Sequence, residues 1–148
     1  MTDLKAAPAS STPTATGPVL AVKDLRTAFR SGNGWTQIVK GISFDIGAHE
    51  TVAVVGESGS GKSVTALSIM RLLDPATSRI EGSIRLGNDE LLALPEAQMP
   101  SVRGRRIGMI FQEAMTSLNP LVSVGGQIAE ALMVHGMGRA EAEAEAVR

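Results

Sequence analysis

A chain of 148 residues with a formal charge of −1, 43% hydrophobic and 20% charged residues has the makeup of an ordinary globular domain. It contains no cysteine and two histidines, which excludes a disulfide scaffold, thiol catalysis and a histidine-rich metal centre. The near-neutral charge gives no field for nucleic acid, and no apolar run approaches the ~18 residues of a membrane helix, so a membrane would be reached through a partner protein.

Residues 1–17, "MTDLKAAPASSTPTATG", are dominated by Ala, Pro, Ser, Thr and Gly. They cannot bury enough apolar surface to offset their ordering entropy, which predicts a disordered tail. The tail has neither the apolar core of a signal peptide nor the arginines of a transit peptide, so cytosolic placement is the default. "VLAVKDLRTAF" (19–29) and "TQIVKGISFDI" (36–46) alternate apolar and polar residues around the turn cluster "RSGNGW", predicting a hairpin or meander. After Gly47, Ala48 and His49 comes "ETVAVVG", apolar on both faces, as in a strand buried in a parallel sheet. Val64, Leu67, Ile69, Met70 and Leu73 fall at helical spacing from Gly61 to Leu73, and Asp74–Pro75 is read as the stop. A strand at "GSIRLG" (82–87), a polar helix near 95–103, a strand at "RRIGMIF" (105–111), a turn at "SLNP" (117–120) and a helix over 126–135 follow. The closing "GRAEAEAEAVR" favours a helix.

Between the apolar strand and the first helix lies Gly56-Glu57-Ser58-Gly59-Ser60-Gly61-Lys62-Ser63, which fits G-x-x-x-x-G-K-[ST] at every fixed position. Glycines allow successive N–H groups to turn inward as a nest for phosphate oxygens, and the helix N-terminus adds its dipole. Lys62 can reach the β- and γ-phosphates and the Ser63 hydroxyl can ligate Mg²⁺. A plain glycine-rich turn would need neither Lys62 nor Ser63, so nucleotide binding is the expectation.

The surrounding residues narrow the class. "VGESGSGKSVTALSIMRLL" (55–73) resembles the Walker A region of ABC-transporter ATPases. "IGMIFQEAMTSLNPLVSVGGQIAEAL" (107–132) resembles their Q-loop segment, with "SLNP" typical of the dipeptide, oligopeptide, nickel and glutathione importer subgroup. The resemblance runs over residues 18–148. It implies an α/β P-loop NTPase fold with an N-terminal antiparallel β-subdomain, and ATP and Mg²⁺ as cofactors. Ser58, Gly59, Ser60, Gly61, Lys62, Ser63 and Val64 would wrap the phosphates after Gly56, with Lys62 acting in catalysis. Phe29 stands at the position of the aromatic residue that stacks on adenine; otherwise it closes a strand as core, and Trp35 is a rival aromatic surface. Gln112 matches the Q-loop glutamine that contacts Mg²⁺ or the attacking water, the alternative being a solvated polar residue at a strand end. Glu113 to Val124 would receive the transmembrane permease subunit, or form a plain turn set by Asn119–Pro120. A second nucleotide-binding domain and a place on the cytoplasmic face of the inner membrane are also implied, with no nucleic acid and no direct membrane insertion.

Ala114 stands where the subgroup often has proline, and His49 where a glycine commonly precedes the strand glutamate. His49 reads as an exposed turn residue tolerant of positive φ, and His135 as structural. Arg103, Arg105 and Arg106 read as a solvated edge more readily than as a polyanion patch. The 148 residues contain no LSGGQ-type signature, no Walker B acid and no downstream switch histidine. Phosphoryl transfer depends on positioned charge, so the expectation is an N-terminal portion of a longer ATPase that hydrolyses little alone. The alternatives are a non-catalytic truncated nucleotide-binding module and a soluble ABC-type ATPase unrelated to transport.

Overall fold

A computed structural model describes residues 5–7, 17–112 and 118–148. Two compact units make up the chain, Met1–Pro95 and Glu96–Arg148. The first is organised by a hairpin of two long strands, β2 (Leu20–Ser31) and β3 (Gly34–Ile46). Ser31 faces Gly34 across a two-residue turn in which Gly32 takes φ 56°, a conformation that a side chain would oppose. A four-stranded antiparallel sheet in the order β3-β2-β5-β6 results, with β5 spanning Ser78–Leu86 and β6 Asp89–Glu90. Its inner face carries Val22, Leu25, Val39 and Ile84, all essentially without solvent exposure, together with Leu91 from the 3₁₀ turn Leu91–Ala93.

One irregularity fixes the register of this sheet. The pairing of β2 skips Lys23 and Asp24 against β3 and Asp24 and Leu25 against β5, and Asp24 sits at φ 46°. A Cβ on Gly82 would lie 2.5 Å from the Asp24 carbonyl oxygen, and one on Gly41 would lie 2.6 Å from Asp24 Oδ1. A glycine on each flanking strand therefore makes room for the bulge. The Asp24 N–H donates to Ser43 Oγ at 2.8 Å, and the carboxylate pairs with the Arg26 guanidinium at 2.9 Å, a hydrogen bond that raises the arginine's pKa.

The apolar strand before the glycine loop forms as β4 (Ala53–Val55), but its setting differs from the sequence expectation. It pairs antiparallel with β1 (Lys5–Ala7), three residues of the segment expected to be a disordered tail. Val55 is 56% exposed. Burial on both faces requires parallel neighbours and crossover helices, and among the described residues none flanks β4.

Helix α1 (Lys62–Ile69) also ends sooner than expected. Arg71 takes φ 51°, its N–H donates to the Ser68 carbonyl, and the Leu72 N–H donates to the Leu67 carbonyl. These bonds form a Schellman motif with arginine in the left-handed position that usually belongs to glycine. The Arg71 guanidinium donates to the carbonyls of Leu91 and Leu94 at 2.9 and 2.6 Å, which holds the unusual residue in place. Asp74, taken as the helix stop, instead organises the next turn: its carboxylate accepts from the Ala76 N–H and its carbonyl from the Ser78 N–H and hydroxyl.

The second unit is helical. The polar segment near 95–103 becomes a 3₁₀ turn, Glu96–Gln98, and the single-turn helix α2 (Met99–Val102), which buries Met99 and Val102. The strand expected over 105–111 does not form: one isolated bridge joins Arg103 to Ile107, and Ile110 is 94% exposed. Helices α3 (Val124–Val134) and α4 (Arg139–Glu145) pack through the buried alanines Ala129 and Ala142. Gly136, at φ 97°, closes α3 in a Schellman motif of the common kind. Arg103 and Arg105 are engaged within this unit. Arg103 pairs with Glu96 at 2.9 Å, and Arg105 donates to the His135 carbonyl at the α3 C-terminus, whose negative dipole end favours a cation. His135 packs its ring against Gly104, where a Cβ would meet Nε2. No helix among the described residues is long and apolar enough to cross a membrane.

Candidate nucleotide site

The loop from Gly56 to Gly61 leaves β4 and opens α1. Gly59 and Gly61 adopt φ 81° and 97°. At Gly61 a second constraint applies, because an added Cβ would approach Ile38 and Val39 of β3 at 3.4–3.5 Å. This glycine therefore both turns the loop and seats it against the sheet. No side chain caps α1, so the first-turn N–H groups of Lys62, Ser63 and Val64 are left for a ligand. The first intrahelical bond runs from the Thr65 N–H to the Gly61 carbonyl at 2.8 Å, and the Thr65 hydroxyl reinforces it at 2.9 Å.

Lys62 Nζ donates to the carbonyls of Gly56 and Glu57, each at 2.7 Å. Two of the three ammonium donors are thus spent holding the lysine across the loop, and one is left over. Ser60 Oγ is buried and makes no hydrogen bond among the described residues, the kind of orphaned polar atom that a bound group satisfies. Ser58 and Ser63 are exposed. An uncapped helix, a cationic lysine, a glycine-shaped loop and an orphaned hydroxyl together fit a polyphosphate.

The helix is coupled to the sheet by a buried pair of hydroxyls. Thr27 Oγ1 lies 2.8 Å from Ser68 Oγ, and Ser68 donates its single proton to the Val64 carbonyl at 2.7 Å. Thr27 must therefore be the donor in the pair. Sequence reading missed this bond, because two small hydroxyl residues 41 positions apart carry no periodic signal.

The same strand separates the two aromatic residues. Thr27 and Phe29 share the inner face of β2, the face that meets α1, with Ser78 beside Phe29 in β5. Trp35 lies on the outer face beneath the Arg79 guanidinium, 4.0 Å from the ring centroid. It lines a concavity of about 290 Å³ with Arg26, Gln37 and Glu81. Phe29 is half-buried, as a residue closing the inner face should be.

Gln112 belongs to the second unit, where it is exposed at the end of the irregular segment 108–111. Of the expected permease-facing stretch, residues 113–117 lie outside the described residues. Residues 118–124 form a loop closed by one side chain of α3. The Gln127 carboxamide accepts from the Asn119 N–H at 2.9 Å and donates to the carbonyls of Asn119 and Val122 at 3.0 and 2.9 Å. Asn119 Oδ1 accepts from the Leu121 N–H, and Ser123 caps α3 by accepting from the Gly126 N–H. The loop thus carries Leu118, Leu121 and Val122 into solvent, Leu121 at 92% exposure.

These features agree with the relatives of the chain. The oligopeptide transport ATP-binding protein OppD of Salmonella typhimurium is 45% identical over 95% of this chain, and OppD of Escherichia coli is 48% identical over 88%. The peptidoglycan transport ATP-binding protein YejF of Agrobacterium fabrum is 51% identical over 82%. The chain spans 42%, 39% and 22% of those three proteins. The ABC transporter family matches residues 39–148, which takes in the glycine loop, α1 and the Gln112 segment. With that match laid over a sheet, loop and uncapped helix that fit a polyphosphate, the chain belongs to the ABC transporter family and carries its ATP-binding Walker A loop.

Proposed function

We propose that this chain is part of an ATP-driven motor subunit that powers import of a peptide-like solute. The observation that carries the reading is the uncapped N-terminus of α1 behind Gly59 and Gly61, with Lys62 already drawn across the loop. Its closeness to peptide-importer ATP-binding proteins supports the choice of solute class. Nucleotide phosphates would take the N–H groups of Lys62, Ser63 and Val64, and Lys62 Nζ would turn its remaining donor to the β/γ oxygens. Phe29 would bear on the adenine, from the sheet face to which α1 is fastened.

Mg²⁺ neutralises charge on the β- and γ-oxygens when bound. Among the described residues no three His, Asp or Glu side chains cluster to hold an ion unaided. Ser63 Oγ is the ligand we assign, with nucleotide oxygens completing the set. Hydrolysis would draw on a Walker B acid and a partner domain's signature, neither of which has a counterpart in these 148 residues. We assign residues 113–124 to a permease at the cytoplasmic face of the inner membrane, since the exposed Leu118, Leu121 and Val122 suit an apolar partner surface.

Two variants of the full-length subunit, reconstituted with its permease, test the reading. Lys62→Ala is expected to abolish ATP-driven uptake of labelled peptide. Gln112→Ala is expected to retain ATP binding while hydrolysis no longer drives transport. Normal uptake by the Lys62 variant would remove the basis of the proposal.

A further inference from the structure

Resting on the importer reading above, we propose that Gln127 is a positioning residue that presets loop 118–123 for the permease. A loop of this kind ordinarily holds its shape by burying apolar side chains, and this one does the reverse. Leu118, Leu121, Val122, Val124 and Ile128 are 41–92% exposed, yet the backbone between Asn119 and Val122 is fully specified. The specification comes from a single carboxamide in the first turns of α3. Its one acceptor and both donors are matched to two carbonyls and one N–H of the loop, within 2.9–3.0 Å. The Asn119 side chain and the Val122 N–H tighten the same turn from within.

The brace has a consequence for association. Ordering a loop when a partner arrives costs on the order of 0.5–1.5 kcal/mol per immobilised side chain. A loop already ordered by polar bonds avoids that cost while leaving its apolar tips free to be covered. No residue from 118 to 128 is charged, so the matching permease surface is apolar.

The test uses the full-length subunit and its permease in lipid nanodiscs, with subunit affinity measured by surface plasmon resonance. Gln127→Leu keeps the side-chain size but removes all three hydrogen bonds. It is expected to weaken association about tenfold, while ATP affinity of the free subunit stays within about twofold of wild type. Leu121→Ser should weaken association as well. Because Gln127 acts through the loop that carries Leu121, the double variant should be little worse than the worse single one, whereas independent roles would add. Gln127→Glu retains the bond from the Asn119 N–H and sets a carboxylate against two carbonyls, so its association should recover as pH is lowered towards the carboxylate's protonation range. Wild-type affinity in Gln127→Leu, additive effects in the double variant, or a parallel loss of ATP affinity would each overturn the assignment. Failure of the wild-type subunit to bind the permease at all would instead remove the importer reading on which it rests.

Discussion

The β2–β3–β5 sheet and the described residues of the segment 105–124 are both rich in apolar side chains but have opposite fates. In the sheet Val22, Leu25, Val39 and Ile84 are sealed from water, whereas Ile110, Leu121 and Val124 stand largely in it. The difference lies in where each region finds its partners. An antiparallel hairpin brings its neighbour through a two-residue turn, so β2 and β3 can pair from local sequence alone. A central parallel strand needs neighbours delivered by long crossovers. β4 reads as such a strand and 105–111 as a strand; among the described residues β4 pairs with β1 alone and 105–111 has one isolated bridge.

Breaking the sheet should give the largest effects. Ile84→Ala removes most of a fully buried side chain and is expected to cost about 2–5 kcal/mol in urea denaturation followed by Trp35 fluorescence. Gly82→Ala sets a Cβ against the Lys23 and Asp24 backbone at φ 109° and should cost at least ~2 kcal/mol in the same experiment. Smaller again is Thr27→Val, which deletes the buried bond to Ser68 while keeping the shape; about 1 kcal/mol is expected. In the full-length protein that variant should also weaken binding of a fluorescent ATP analogue. At the other end of the comparison, Ile110→Ser alters a side chain 94% in solvent and should change stability by less than ~0.5 kcal/mol. A large loss from Ile110→Ser, or none from Ile84→Ala, would reverse the contrast between the two regions.

How much was legible in the sequence follows the same line. The hairpin, the glycine loop, α1, α3 and α4 are all written in local patterns: alternation, a fixed eight-residue spacing, helical periodicity and Glu/Ala propensity. The Gly136 stop of α3 is a local signal too, whereas α1 stops on Arg71, a residue type that carries no such signal. The bulge at Lys23–Asp24 depends on glycines 17 and 58 positions downstream of Asp24, which only the folded register brings together. Gln127 reads as one more polar helix residue until its carboxamide is seen to meet three backbone groups. Phe29 and Trp35 are likewise told apart only in the folded strand, which turns them to opposite faces.

The hydroxyl pair Thr27–Ser68 gives the site a built-in ruler. Phe29 lies two residues along β2 from Thr27, and Ser68 lies six residues along α1 from Lys62. Strand and helix are each stiff over such short distances, and the buried bond pins one to the other. With Phe29 proposed to take the base and Lys62 the phosphates, the span between the two would be set by a single rigid piece of protein. A nucleotide of the wrong length would have to strain itself to engage both ends, because the protein has little freedom to adjust.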